Sequence, residues 1–103
     1  MTVQALAPLS GAKLLDVGCG AGDAFALFLE ALGEQGTVVG VDRDADLLAA
    51  ARARHAGDPR VSFQQADASS LPFPDASFDA VTSSFVLQHI AAPRAAVAEW
   101  VRV

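Results

Sequence analysis

A chain of 103 residues has room for one small domain, not for two hydrophobic cores. Apolar residues make up 52% of it, enough for a packed interior and too many for a disordered segment. With a net charge of −5 and its seven basic residues scattered, a partner held by phosphate charge is excluded, so no nucleic acid is expected.

No apolar run approaches the roughly twenty residues of a membrane span, and no basic-then-apolar leader follows Met1. The expectation is a cytoplasmic protein with no membrane partner. The lone Cys19 has no cysteine or histidine at metal-ligand spacing, so neither a disulfide nor a metal site is expected.

Residues 1–12 read as a lead-in segment, with turn residues Pro8, Ser10 and Gly11. Residues 13–103 form the functional part. "KLLDV" (13–17) predicts a short buried strand ended by glycine, and residues 23–32, "DAFALFLEAL", predict a helix stopped by Gly33. "TVVGV" (37–41) is a β-branched second strand. "DADLLAAARARHAG" follows as a helix, with a capping aspartate, basic later turns and Gly57 at its close. "RVSFQQA" is a third strand, "LPFPDASF" a loop punctuated by Pro72 and Pro74, and residues 78–83 a fourth strand. The last helix opens at Pro93 and carries Trp100 on its apolar side. Strands alternating with helices imply parallel βαβ units with helices on both faces, an α/β doubly wound sheet of about four strands.

In such a sheet, ligands lie beyond the carboxyl ends of the strands, here at Val17, Val41, Gln65 and Thr82. Gly18, Gly20 and Gly22 follow the first strand, where glycine permits a tight turn and close approach of a ligand to the main chain. The dinucleotide fingerprint wants glycine at its sixth position, which here is Asp23. Asp16 and Asp23 would both repel a pyrophosphate and favour a cation instead. S-adenosylmethionine, with a sulfonium and an ammonium and no phosphate, fits that requirement. Asp42 ends the second strand, where an acid accepts from both ribose hydroxyls. Asp44 is free to cap the next helix in its place. Arg43 is read as a solvated neighbour of the ribose site rather than a receptor for a 2′-phosphate.

"LLDVGCGAG", "VVGVDRD", "QQADASSLPFPDASFDAVTSSFVLQHI" and "AAVAEWVRV" together resemble the class I S-adenosylmethionine-dependent methyltransferases. The most similar branch is the small-molecule domain related to quinone-biosynthesis C-methyltransferases. The likeness runs from Leu14 to Val103, and "LPFPDASFDAV" is its most specific part. It implies a Rossmann-like fold, S-adenosylmethionine as cofactor and a small-molecule methyl acceptor. It also implies that the loop from Gly18 through Cys19 and Gly20 to Gly22 lies under the methionine portion, with Asp16 facing the amino group. Asp42 would hold the ribose, Asp67 the adenine amino group, the Ala68 N–H a ring nitrogen, and Ser84 would lie near the methionine moiety. Bracing of the loop is the alternative role for Asp16, and turn formation the alternative for Asp67.

Cys19 reads as a loop filler, His55 as a helix-end residue favoured by the dipole, and Phe63, Phe78, Phe85 and Trp100 as core, with a cofactor wall as a second role open to Phe85. His89, beside Gln88, is the one further residue of acid–base type near the site. Members of the family continue past the equivalent of Val103 with about three more strands. The chain therefore reads as a cofactor-binding portion of a methyltransferase, with strand four as an open edge able to pair with a second copy. A binding module without turnover, and a nicotinamide-dependent oxidoreductase, are the alternative functions.

Overall fold

The computed structural model describes residues 11–83 and 93–103. The readings made on Pro8, Ser10, Ser84, Phe85, Gln88 and His89 lie outside those residues. The elements alternate as expected: β1 (Lys13–Val17), α1 (Phe25–Leu32), β2 (Thr37–Asp42), α2 (Ala45–Arg54), β3 (Val61–Gln65), β4 (Ala80–Ser83) and α3 (Pro93–Arg102). All strand pairs are parallel and the sheet order is β3-β2-β1-β4. The chain thus reverses its winding beside β1, bringing the ends of β1, β2 and β4 together.

Successive side chains of a strand point to opposite faces, and a parallel sheet with helices on both faces buries both. Leu14 and Val38 accordingly pack with Phe25 and Leu32 of α1 and Leu48 of α2. Leu15, Val17 and Val41 pack on the other face with Trp100 and Val103, at and just beyond the end of α3, and with Ala68 and Leu71 of the loop before β4. The doubly wound Rossmann-like architecture is therefore present in these four strands.

Two boundaries differ from expectation. The first helix begins at Phe25 rather than Asp23, because residues 22–24 are used in a turn in which the Phe25 N–H donates to the Gly22 carbonyl at 3.2 Å. The fourth strand begins at Ala80 rather than Phe78, because the Phe78 N–H donates to the Val103 carbonyl at 2.7 Å instead of joining the ladder. Asp44 caps α2 as expected, accepting from the Asp46 and Leu47 N–H groups at 2.9 and 3.1 Å. That helix ends at Arg54, with His55 as its C-cap, before Gly57 is reached.

Gly40 shows how tightly the first face is filled. A Cβ added there would stand 2.7 Å from the Phe25 ring, 2.8 Å from the Cys19 sulfur and 2.9 Å from the Phe63 ring. Phe25 and Phe63 are themselves stacked, with centroids 4.9 Å apart, and Phe25 is fully buried. Gly40→Ala is expected to destabilise the fold by about 1–3 kcal/mol, the usual cost of overpacking a closed core. A urea titration with an unshifted midpoint would contradict this.

Candidate cofactor site

The glycine loop turns over the end of β2. Gly18, Gly20 and Gly22 all have positive φ (77°, 56° and 78°), a conformation that side-chain-bearing residues rarely adopt. The Val41 carbonyl accepts from both the Gly18 and Cys19 N–H groups, at 2.8 and 3.0 Å. At Gly20 a Cβ would project into open space, as at a surface left bare for a ligand. Gly22 differs, since a Cβ there would meet the His55 ring at 3.2 Å and Ala51 at 3.4 Å. Protein packing is thus sufficient reason for that glycine.

His55 does more than sit in a helix dipole. Its Nε2 lies 3.0 Å from the Gly22 carbonyl, and its ring packs against Phe25, with centroids 5.5 Å apart. Beside it Arg54 forms an ion pair with Asp23. The Asp23 charge, expected to repel a phosphate, is therefore partly neutralised within the protein. The negative potential of the site rests on Asp16 and Asp42 instead.

Asp42 stands half-buried at the end of β2. Its Oδ2 accepts from the Gly20 N–H and its Oδ1 from the Asp44 N–H, both at 2.9 Å. A carboxylate oxygen has about two acceptor positions, so each oxygen retains one for a ligand. Arg43 is exposed, and its carbonyl accepts from the Gln65 side chain at 2.9 Å.

Asp16 is only 5% exposed. Parallel pairing sets it opposite Thr82, whose hydroxyl donates to Asp16 Oδ1 at 2.9 Å. Burial pushes the Asp16 carboxyl up to about 6, against the lowering effect of the Thr82 hydrogen bond, and the nearby Asp42 charge raises it further. The neighbouring Cys19 thiol is pushed up to about 12 by burial and by the same two acids, so it is protonated and inert as a nucleophile at neutral pH. Ser83, the residue before the expected Ser84, is 1% exposed, and its hydroxyl has no hydrogen-bond partner among the described residues.

On the far side, Asp67 uses Oδ1 to accept from the Ser69 N–H and hydroxyl, at 2.8 and 2.7 Å, and those bonds hold its carboxyl below the usual range. Turn formation is therefore one of its roles, and Oδ2 is left over. The Ala68 N–H has no partner among the described residues, while its carbonyl accepts from the Trp100 indole N–H at 3.0 Å.

The structure thus gathers Asp16, Gly18, Cys19, Gly20 and Asp42 at adjoining strand tips, with Asp67 and Ala68 beyond β3 and Arg43 at the margin. In the sequence Thr82 reads only as a strand end, and neither Ser83 nor His55 is expected against these residues. Two polar residues ending an otherwise apolar strand, "AVTS", were the available signal for the first two. Among the described residues no cluster of histidine, cysteine or carboxylate could hold a metal ion, and no helix is long and apolar enough to cross a membrane.

Parallel order, glycine turn and strand-terminal acids define a Rossmann-like α/β domain, the class in which ligands lie at the switch point, here beside β1. The family described as "Methyltransferase domain" matches residues 15–103, and the chain belongs to it. The cofactor of this class is S-adenosylmethionine. The chain is 45% identical over 103 residues to the demethylmenaquinone methyltransferase of Clavibacter sepedonicus, covering 99% of this chain and 40% of that protein. Among solved structures, a SAM-dependent methyltransferase from Aquifex aeolicus superposes with a TM-score of 0.86 at 25% identity, over 94% of this chain and 53% of the other. The YcgJ protein of Bacillus subtilis gives 0.83 at 35% identity, over 96% and 42%. The chain therefore spans about two fifths to half the length of these relatives.

Proposed function

We propose that residues 13–103 hold S-adenosylmethionine for transfer of its methyl group to a small-molecule acceptor in the cytoplasm. The observation that carries this reading is Asp42, which braces the bare glycine loop through Oδ2 and the turn into α2 through Oδ1, and keeps an acceptor position on each oxygen for a ribose diol. Asp16 supplies a buried anion for a cationic ligand, and Gly20 leaves the main chain uncovered. Asp67 Oδ2 and the Ala68 N–H form an acceptor–donor pair complementary to the adenine edge. The net charge of −5 speaks against a nucleic-acid acceptor.

When bound, the cofactor supplies a methyl group already activated by its sulfonium. These residues need only orient it and balance its charge, and none has to act as a nucleophile. The name of the Clavibacter relative makes a quinone-type ring a reasonable first acceptor to try.

Calorimetry tests the reading directly. S-adenosylmethionine is expected to give a saturable heat with the folded chain, and NAD none, since a pyrophosphate would meet the Asp16 and Asp42 charges. Saturation by NAD with no response to S-adenosylmethionine would overturn it in favour of an oxidoreductase.

A further inference from the structure

The adenine-side loop, residues 66–79, contains no helix or strand of its own, yet its main chain is tied at many points to one short stretch of α3 and the residue after it. The Trp100 indole N–H donates to the Ala68 carbonyl at 3.0 Å in a fully buried contact. Glu99 Oε2 accepts from the Leu71 N–H at 2.9 Å. The Arg102 guanidinium donates to the Phe73 carbonyl at 2.7 Å and to the Leu71 carbonyl at 3.1 Å. It also pairs with Glu99 and Asp75, both at 2.8 Å. The carbonyls of Arg102 and Val103 then accept from the Ala76 and Phe78 N–H groups, each at 2.7 Å.

Two features indicate that these bonds set a conformation as well as hold a surface together. Ala76 has φ of 55°, which costs an alanine on the order of 1 kcal/mol or more and persists only where neighbours over-determine it. The peptide group that joins Ala68 to Ser69 is held at both ends, its carbonyl by Trp100 and its N–H by Asp67. The Ala68 N–H, in the preceding peptide group, has no partner among the described residues. Glu99, held well below the usual carboxylate range at about 2 by Arg102 and the Leu71 N–H, keeps the charge that orders this array across the working pH range.

We propose that the end of α3, through Trp100, Glu99 and Arg102, is the positioning element for purine recognition: it sets the Asp67–Ala68 edge and so decides which base the site accepts, without touching the cofactor. This rests on the adenine assignment made above. The contacts link residues about thirty positions apart, so the base-reading loop depends on a helix that follows β4 as well as on the strands it packs against.

The test compares S-adenosylhomocysteine with S-inosylhomocysteine, whose base has an oxygen in place of the amino group and a protonated ring nitrogen. The wild type is expected to prefer the adenine compound at least about tenfold, the scale of one mispaired buried hydrogen bond. Trp100→Phe keeps an aromatic ring but removes the N–H, and is expected to reduce that preference to about threefold or less while leaving affinity for the inosine compound within about twofold. General loosening of the fold would weaken both compounds together and keep their ratio. A folded Trp100→Phe with the wild-type ratio therefore overturns the inference alone. A wild type that binds neither compound overturns the cofactor reading, and this inference with it. Should circular dichroism show that the tryptophan variant does not fold, Arg102→Gln takes its place in the same measurement: a reduced ratio supports the inference and an unchanged ratio overturns it.

Discussion

Asp42→Asn is expected to weaken S-adenosylmethionine binding by about thirtyfold or more, roughly 2 kcal/mol, on the scale of lost hydrogen bonds to a charged acceptor. Asparagine is nearly the same size, so the effect is one of donors and acceptors. Wild-type Asp42 faces the Gly20 and Asp44 N–H groups with one oxygen each. An amide has a single oxygen, so its NH2 must confront one of those two donors. Either the glycine loop loses its brace or the turn into α2 does. A ribose hydroxyl that donated to the lost oxygen meets a donor as well. The same substitution is expected to lower unfolding stability by about 1–2 kcal/mol without ligand, because one of the two bonds fails in the free protein too. Titration calorimetry and chemical denaturation read the two effects separately. Unchanged affinity in a folded Asp42→Asn would remove the ribose assignment.

Asp16→Asn is expected to move stability and binding in opposite directions. The folded chain holds the Asp16 proton up to a pKa of about 6, whereas the unfolded chain releases it near the ordinary 3.8. The native state therefore binds the proton more tightly. The stability this contributes is complete below about pH 3.8 and is lost as pH rises through about 6. At pH 8 the buried anion costs up to about 3 kcal/mol, at 1.36 kcal/mol per pKa unit.

An asparagine removes that charge and still accepts from the Thr82 hydroxyl, although its NH2 offsets part of the gain if it finds no acceptor. A net stabilisation of about 1–2 kcal/mol at pH 8 is expected, vanishing toward pH 4, where the wild type is protonated. Affinity for S-adenosylmethionine should fall about tenfold at pH 8 through loss of the anion facing a cationic ligand. In the wild type that affinity should also decline as pH is lowered through about 6, whereas in the variant it should stay level. Thermal melts and binding isotherms across pH 4 to 8 provide both curves. A variant less stable than wild type at pH 8 would contradict the charge-burial account, and a wild-type affinity independent of pH would remove Asp16 from the site.

Much of the molecule could be read along the chain because the relevant physics is local. "KLLDV" and "TVVGV" carry the apolar residues of buried strands, Asp44 reaches N–H groups two and three residues ahead, and glycines mark the backbone turns. Asp42 stands at the strand end as read, and there it also accepts from the Gly20 and Asp44 N–H groups. Local reasoning erred where a distant partner took hold. Asp23 read as a free charge at a helix start, but Arg54 claims it from the end of the next helix. Phe78 read as strand, but Val103 intercepts its N–H before the ladder begins.

The sequence by itself determined the alternation of strands and helices, the glycine turn and the acids at the strand tips, since each depends on neighbours a few residues away. Only the tertiary structure decided that Thr82 meets Asp16 across 66 residues, that His55 rests on Gly22 across 33, and that Trp100 sets Ala68 across 32. Those meetings depend on parallel register and on how each helix lies against the sheet. Such quantities are set by packing of the whole core, and no stretch of chain specifies them alone.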